Sequence, residues 1–248
     1  FGTDYGTIEK VSYDSPTLEK DRNVNVLLPA GYDEDERYPV LYILHGYWGT
    51  EDSMVYGNDK TVENVGNAIA NGEAKPMIVV FPYIFASKDM DVVDAMNDVS
   101  NAAYDNFIND LVTDLMPFIE DNYSIATGPE NTAITGFSMG GRESLYIGFT
   151  RPDLFGYVGA VCPAPGTCPG LIAEDDFTFG GKDNAPWLLM ITAGSNDGVV
   201  GTVPYGYNDI LNNNNVTHIW QVIDNAGHDQ TTVTTHNYNF IRMIFKAE

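Results

Sequence analysis

The sequence predicts an α/β fold, a mostly parallel central sheet with helices on both faces. Three observations predict it. Short, continuous apolar runs recur along the chain and read as strands buried on both sides. Segments with helical spacing separate them, which is the pattern of a sheet wrapped by helices. The residues able to do chemistry all fall where a strand ends, and open α/β sheets bind their ligands at the carboxyl ends of their strands.

In chain order, Thr7–Tyr13 and Asn23–Leu28 alternate in the manner of antiparallel strands. Val40–Leu44 is an apolar strand ending in His45-Gly46, and Met77–Phe81 is a second, stopped by Pro82. Asn106–Asn122 carries Phe107, Ile108, Leu111, Leu115, Phe118 and Ile119 at helical spacing. Thr132–Gly136 reads as a strand and Gly140–Thr150 as a helix. Tyr157–Val161, Leu188–Ala193 and Val216–Ile223 are further strands, and Tyr238–Lys246 closes the chain as an amphipathic helix. The run Asn212–Asn215 is a polar loop between a helix and a strand. No internal repeat or linker-like stretch divides the chain, so the expectation is a single domain over residues 1–248.

Composition narrows the function. With 12 Lys and Arg against 35 Asp and Glu, the net charge is −23. Such a surface repels phosphate backbones and anionic lipids, so neither nucleic acid nor a membrane surface is expected as a partner. No apolar run approaches the ~20 residues of a membrane helix. The chain opens on Phe1 rather than Met, the mark of a processed protein or a piece of a larger one, and secretion is compatible with this. Its two cysteines, Cys162 and Cys168, lie six apart in a proline-rich loop; spacing leaves open a local disulfide or two unpaired thiols. Two thiols without a nearby His make no metal site, and none is expected.

The segment Gly136-Phe137-Ser138-Met139-Gly140 is a Gly-x-Ser-x-Gly turn between a strand and a helix. That context marks a nucleophile elbow of the α/β-hydrolase fold: a strained turn lifts the Ser138 hydroxyl above the sheet edge, and side chains at 136 or 140 would clash. A serine needs a base. Of the four histidines, His228 in Ala226-Gly227-His228-Asp229 follows the last strand, where this architecture delivers its base. His218 falls within a strand and reads as structural. His236, near the start of the closing helix, reads as a surface or capping residue. Asp197, in Gly194-Ser195-Asn196-Asp197-Gly198 after its strand, is the candidate acid; Asp183 precedes that strand, and Asp224 and Asp229 are too close in sequence to His228 to wrap around its ring. The oxyanion donors are the backbone N–H groups of Met139, the residue after the nucleophile, and of Tyr47 in Leu44-His45-Gly46-Tyr47-Trp48-Gly49. His45 then braces that loop. Trp48, Tyr83 and Phe85 are candidate substrate contacts near the mouth.

Together, Leu-His-Gly-Tyr-Trp-Gly, Thr-Gly-Phe-Ser-Met-Gly-Gly, Gly-Ser-Asn-Asp and Gly-His-Asp resemble carbohydrate esterase family one, from about Ile8 to Phe245. The helix before the nucleophile strand, with Asp-Leu-Met-Pro-Phe-Ile-Glu-Asp-Asn-Tyr-Ser-Ile, is similar too. The resemblance implies Ser138, Asp197 and His228 as triad, with Met139 and Tyr47 as oxyanion donors. It implies a feruloyl esterase acting on esters of plant cell-wall polysaccharide, with an acetyl xylan esterase or general short-chain esterase as the alternative. S-formylglutathione hydrolase fits less well, because an anionic thiol ester suits a chain of −23 poorly. A non-catalytic carbohydrate-binding relative is opposed by the intact motifs. No cofactor is called for. A secreted, extracellular setting and membership of a larger multi-domain enzyme are the further expectations. One departure stands out: Gln230-Thr231-Thr232-Val233 follows Gly-His-Asp, where cellulosomal feruloyl esterases often carry an aromatic residue and a Trp.

Overall fold

The computed structural model describes residues 2–247; Phe1 and Glu248 of the expected span lie outside the described residues. Eight strands form one sheet in the order β1-β2-β4-β3-β5-β6-β7-β8. They are β1 (Thr7–Ser15), β2 (Lys20–Leu28), β3 (Val40–Leu44), β4 (Ile78–Pro82), β5 (Thr132–Gly136), β6 (Tyr157–Val161), β7 (Leu188–Gly194) and β8 (Ile219–Ile223). β1 and β2 form an antiparallel hairpin, β2 pairs antiparallel with β4, and the rest of the sheet is parallel. The expected mostly parallel sheet is therefore present.

Burial on both sides explains the continuous apolar runs. Because successive side chains point to opposite faces, Val40, Tyr42 and Leu44 enter one core cluster while Leu41 and Ile43 enter the other. Ile78 and Val80 divide from Val79 and Phe81 in the same way. Among the described residues the helices are, in chain order, α1 (Ser53–Tyr56), α2 (Thr61–Ala70), α3 (Asp98–Asp105), α4 (Phe107–Asp110), α5 (Met116–Asn122), α6 (Met139–Thr150), α7 (Val203–Asn213) and α8 (Gln230–Met243). The first face is covered by α4, a π turn (Leu111–Leu115) and α5, through Phe107, Leu111, Leu115 and Ile119. The second is covered by α2 (Thr61–Ala70), through Val65 and Ala68, and by α8 (Gln230–Met243), through Val233, Phe240 and Ile241.

Two expectations change, and one alternative left open is resolved. The helix read over Asn106–Asn122 is divided by the π turn, around which Asp110 accepts a 2.6 Å bond from Tyr13 Oη and Asp114 accepts one from the Thr17 amide. The closing helix begins at Gln230 rather than Tyr238, because the Asp229 carboxylate caps it by accepting from the amides of Thr231 and Thr232. Cys162 and Cys168 are both free and buried. Their side chains pack in different clusters, Cys162 on the α2/α8 face and Cys168 on the α4/α5 face, so six residues of sequence separation do not bring them together.

The parallel ladders bring the strand ends into line. Leu44 pairs with Gly136, Val161 with Thr192 and Gly194 with Ile223. The loops after β3, β5, β7 and β8 consequently leave one edge of the sheet side by side. At the opposite edge, Thr7 begins β1 beside Leu28, and the Ala247 amide donates to the hydroxyl of Tyr157, the first residue of β6.

Candidate active site

Ser138 sits between β5 and α6 (Met139–Thr150) with φ 56° and ψ −113°. A non-glycine residue reaches this region only when its surroundings hold it there. Here its amide donates to Val161 O at 3.0 Å and its carbonyl accepts from the amides of Arg142 and Ala164. The glycines on either side permit the turn: a Cβ on Gly136 would stand 2.3 Å from Gly140 O, and one on Gly140 would stand 2.3 Å from Leu44 O and 2.5 Å from His45 O.

Asp197 and His228 meet across the edge. His228 Nδ1 lies 2.8 Å from Asp197 Oδ2, with Nδ1–H as donor. That bond fixes the tautomer and leaves Nε2 as an acceptor. Asp197 Oδ1 accepts from the amides of Val199 and Val200 at 2.8 and 3.0 Å. Burial pushes the Asp197 carboxyl up, but the bonds from His228, Val200 and Val199 more than offset it and hold the group below the usual carboxylate range. Two of the three rejected acids are otherwise engaged: Asp229 caps α8, and Asp224 bonds Ser195 and Asn225. The Phe137 ring packs 4.6 Å from the His228 ring and limits its swing. Among the described residues, no hydrogen bond joins Ser138 Oγ to His228; such bonds are often long before substrate arrives.

The oxyanion loop follows β3. Gly49 N donates to Gly46 O, Trp48 has φ 69° and its amide donates to the Tyr104 hydroxyl, so a tight turn displays Tyr47. The amides of Tyr47 and of Met139 find no partner among the described residues. His45 braces the loop as expected: Nδ1–H donates to Gly46 O at 2.7 Å and Nε2 accepts from the Ile84 amide at 3.0 Å. Burial takes the ring down to about 4, so it stays neutral.

The other histidines are occupied. His218 precedes β8 rather than lying in it, with its nitrogens on Val216 O and Asn208 Oδ1. His236 is neither surface nor cap. Because α8 starts early, His236 falls mid-helix on the inner face, 0% exposed, with Nε2 at 2.8 Å from Thr135 Oγ1 and Nδ1 at 2.7 Å from Thr192 Oγ1. Burial lowers it to about 3.

A hollow of about 460 Å³ opens beside His228, walled by Tyr47, Trp48, Phe137, Asp59 and Gln230. Of the candidate contacts, Trp48 lines it and is 53% exposed. Tyr83 does not; it stacks on His45 and lines a separate hollow with Arg22 and Asp91. Phe85 is 1% exposed and packs edge-on against Tyr104, so it is core rather than a ligand contact. Asp59 was not legible as a site residue, since nothing in sequence ties residue 59 to residue 228, whereas Gln230 opens the departing stretch directly after Gly-His-Asp.

Among the described residues, Cys162, Asp197 and His228 form a group whose ligand atoms lie within 4.8 Å of one another. Burial, and then the charge of Asp197, push the Cys162 thiol up to about 12, so this set presents a protonated thiol beside an engaged Asp–His pair and fits a metal ion poorly.

Residues 15–237 match the putative esterase family. The chain is 46% identical to a ferulic acid esterase of family CE1 from the anaerobic fungus Anaeromyces mucronatus, with a TM-score of 0.93 over 98% of this chain and 92% of that one. It is 34% identical over 160 residues (62% of this chain) to an endo-1,4-beta-xylanase/feruloyl esterase of Xylanibacter ruminicola, and 30% over 163 residues (61% of this chain) to endo-1,4-beta-xylanase Y of Acetivibrio thermocellus. It spans 21% and 14% of those two proteins' lengths. An S-formylglutathione hydrolase from Staphylococcus aureus, at 16% identity and a TM-score of 0.70 over 97% of this chain and 100% of that one, shares the fold. With a family match over nine-tenths of its length and a relative covered almost end to end, the chain belongs to the putative esterases, as a member of carbohydrate esterase family one.

Proposed function

We propose that this chain is a feruloyl esterase that releases hydroxycinnamic acids from plant cell-wall arabinoxylan. The observation that carries the acyl group is the likeness to a ferulic acid esterase across almost the whole of both chains. The geometry supports the chemistry. Ser138 Oγ attacks the ester carbonyl while His228 Nε2 takes its proton, and Asp197, already bonded to Nδ1, stabilises the imidazolium. The amides of Met139 and Tyr47 receive the oxyanion. The sugar hydroxyl leaves with the proton from His228, and water repeats the cycle on the acyl-enzyme, regenerating Ser138 and releasing the acid.

A polysaccharide substrate and a place among further catalytic modules belong to the same reading, because the xylanase relatives are several times longer than this chain. So does secretion, because polymeric xylan does not enter cells. The test is hydrolysis of methyl ferulate beside 4-nitrophenyl acetate, with Ser138→Ala as control. Ferulate release that depends on Ser138 supports the reading; acetate release alone replaces it with an acetyl xylan or short-chain esterase.

A further inference from the structure

We propose that Arg22, on β2, is a positioning residue that aims the Tyr47 amide at the oxyanion, acting through the carbonyls of Tyr83 and Phe85 and the ring of His45. The proposal rests on the reading of that amide as an oxyanion donor. Its last link is a single peptide. The Gly46 carbonyl and the Tyr47 N–H belong to one planar trans unit, so whatever fixes the carbonyl fixes the direction of the N–H. Two donors hold Gly46 O: His45 Nδ1–H at 2.7 Å and the Gly49 amide at 3.1 Å. The turn closes tightly over the ring, for a Cβ on Gly49 would stand 2.6 Å from His45 Nδ1.

His45 does this with its proton on Nδ1, and the Ile84 amide keeps the proton there by donating to Nε2 at 3.0 Å. Ile84 in turn is set by Arg22. The carbonyls of the residues on either side of it both accept from the guanidinium, Phe85 O from Nη1 at 2.7 Å and Tyr83 O from Nη2. One planar fork therefore clamps a three-residue segment and leaves the amide at its centre for His45. The Tyr83 ring adds a second link: the guanidinium lies 5.1 Å from its centroid, and the His45 ring stacks on it at 5.7 Å. The clamp is itself anchored. The Arg22 side chain is 4% exposed, and its Nε, without a hydrogen bond among the described residues, faces Asp110 Oδ2 on α4 at 3.7 Å. Asp110 accepts from the hydroxyls of Tyr13 and Ser15 on β1, each at 2.6 Å. Burial takes His45 down to about 4 and the Arg22 charge works in the same direction, so Nε2 stays free to accept.

The experiment measures kcat and KM for 4-nitrophenyl acetate, per Ser138 titrated with a fluorophosphonate, in Arg22→Lys, His45→Gln and the double variant, with the melting temperature of each. Arg22→Lys keeps the buried charge beside Asp110 but loses the fork that holds two carbonyls. His45→Gln keeps an acceptor for Ile84 and loses the donor to Gly46 O. The expected result for Arg22→Lys is kcat lower by roughly 10- to 100-fold with KM within about twofold, since an oxyanion donor lost outright costs about 10²- to 10³-fold. The double variant should be no slower than the slower single one, because both changes act on one amide. A lower melting temperature with unchanged kcat per titrated serine makes Arg22 a fold-stabilising residue only and overturns the proposal. So do losses that multiply in the double variant. If Arg22→Lys does not fold, Arg22→Gln with Asp110→Asn removes both buried charges together and is read in the same way. Nitrogen-15 NMR of the wild-type chain tests the middle link without any variant: a His45 ring protonated on Nε2 overturns it. Unchanged kcat in His45→Gln overturns the reading of the Tyr47 amide as well, whereas a fall in His45→Gln alone overturns only the role of Arg22.

Discussion

Replacing His236 with glutamine tests the electrostatics of the core and can be sized in advance. In the folded protein the imidazole is fully buried between Thr135 and Thr192 and is lowered to about 3, against 6.5 for an unperturbed ring. A folded pKa below the unfolded one means that the unfolded chain takes up the proton first. Stability carried by the neutral ring is then complete above about 6.5, declines as pH falls below it, and stops declining near 3. Between about pH 7 and pH 5 the loss is ~2 kcal/mol, set almost entirely by the unfolded ring. His236→Gln keeps an amide at the Nε2 position beside Thr135 but leaves the buried Thr192 hydroxyl without its Nδ1 partner. That costs about 1–3 kcal/mol, independent of pH. His45, lowered to about 4, titrates alike in both proteins and cancels. Urea unfolding of the two proteins across this range should therefore show a large stability gap at pH 7 that narrows by ~2 kcal/mol at pH 5. A gap of constant size would refute the assignment of His236 as a buried neutral ring.

Other outcomes follow from the same geometry. Ser138→Ala should lower kcat on the order of 10⁵- to 10⁶-fold, with unchanged circular dichroism, and Asp197→Asn about 10⁴-fold, because it supports the wrong imidazole tautomer. Gly140→Ala places a Cβ against Leu44 O and His45 O; it should lower Tm through a cost of about 1–3 kcal/mol or more and lower kcat roughly 10²-fold by shifting the Tyr47 amide. Burial raises Cys162 to about 12 and Cys168 to about 11. A thiol-specific chromogenic reagent should then find no reactive thiol in the native protein at mildly alkaline pH and two in denaturant, whereas a disulfide would give none in either.

The central strands β3 to β7 were legible because each is buried on both faces and leaves a mostly apolar run: Thr132–Gly136 and Tyr157–Val161 lie where the pattern puts them. The strained turn at Ser138 was legible because its two glycines are demanded by contacts within a few residues and by the neighbouring loop. What the sequence left open or misplaced depends on direction in space. Spacing does not tell that Cys162 and Cys168 point to opposite sheet faces, nor that Phe85 turns inward toward Tyr104. His236 was misplaced because Asp229 was read only for its neighbour His228, although it is also the cap that starts the helix eight residues ahead of Tyr238. Asp59 reaches the hollow through a fold contact that no local pattern encodes.

Thr7 beside Leu28 and Ala247 against Tyr157 lie at the sheet edge opposite Ser138. A polypeptide joined at either end would hang behind the sheet, and the mouth would stay clear of it. Tethering can then raise the local concentration of the esterase on an insoluble fibre without the tether shading the mouth. Linker length and stiffness, rather than any change in the fold, would set how far along the polymer the mouth can sweep.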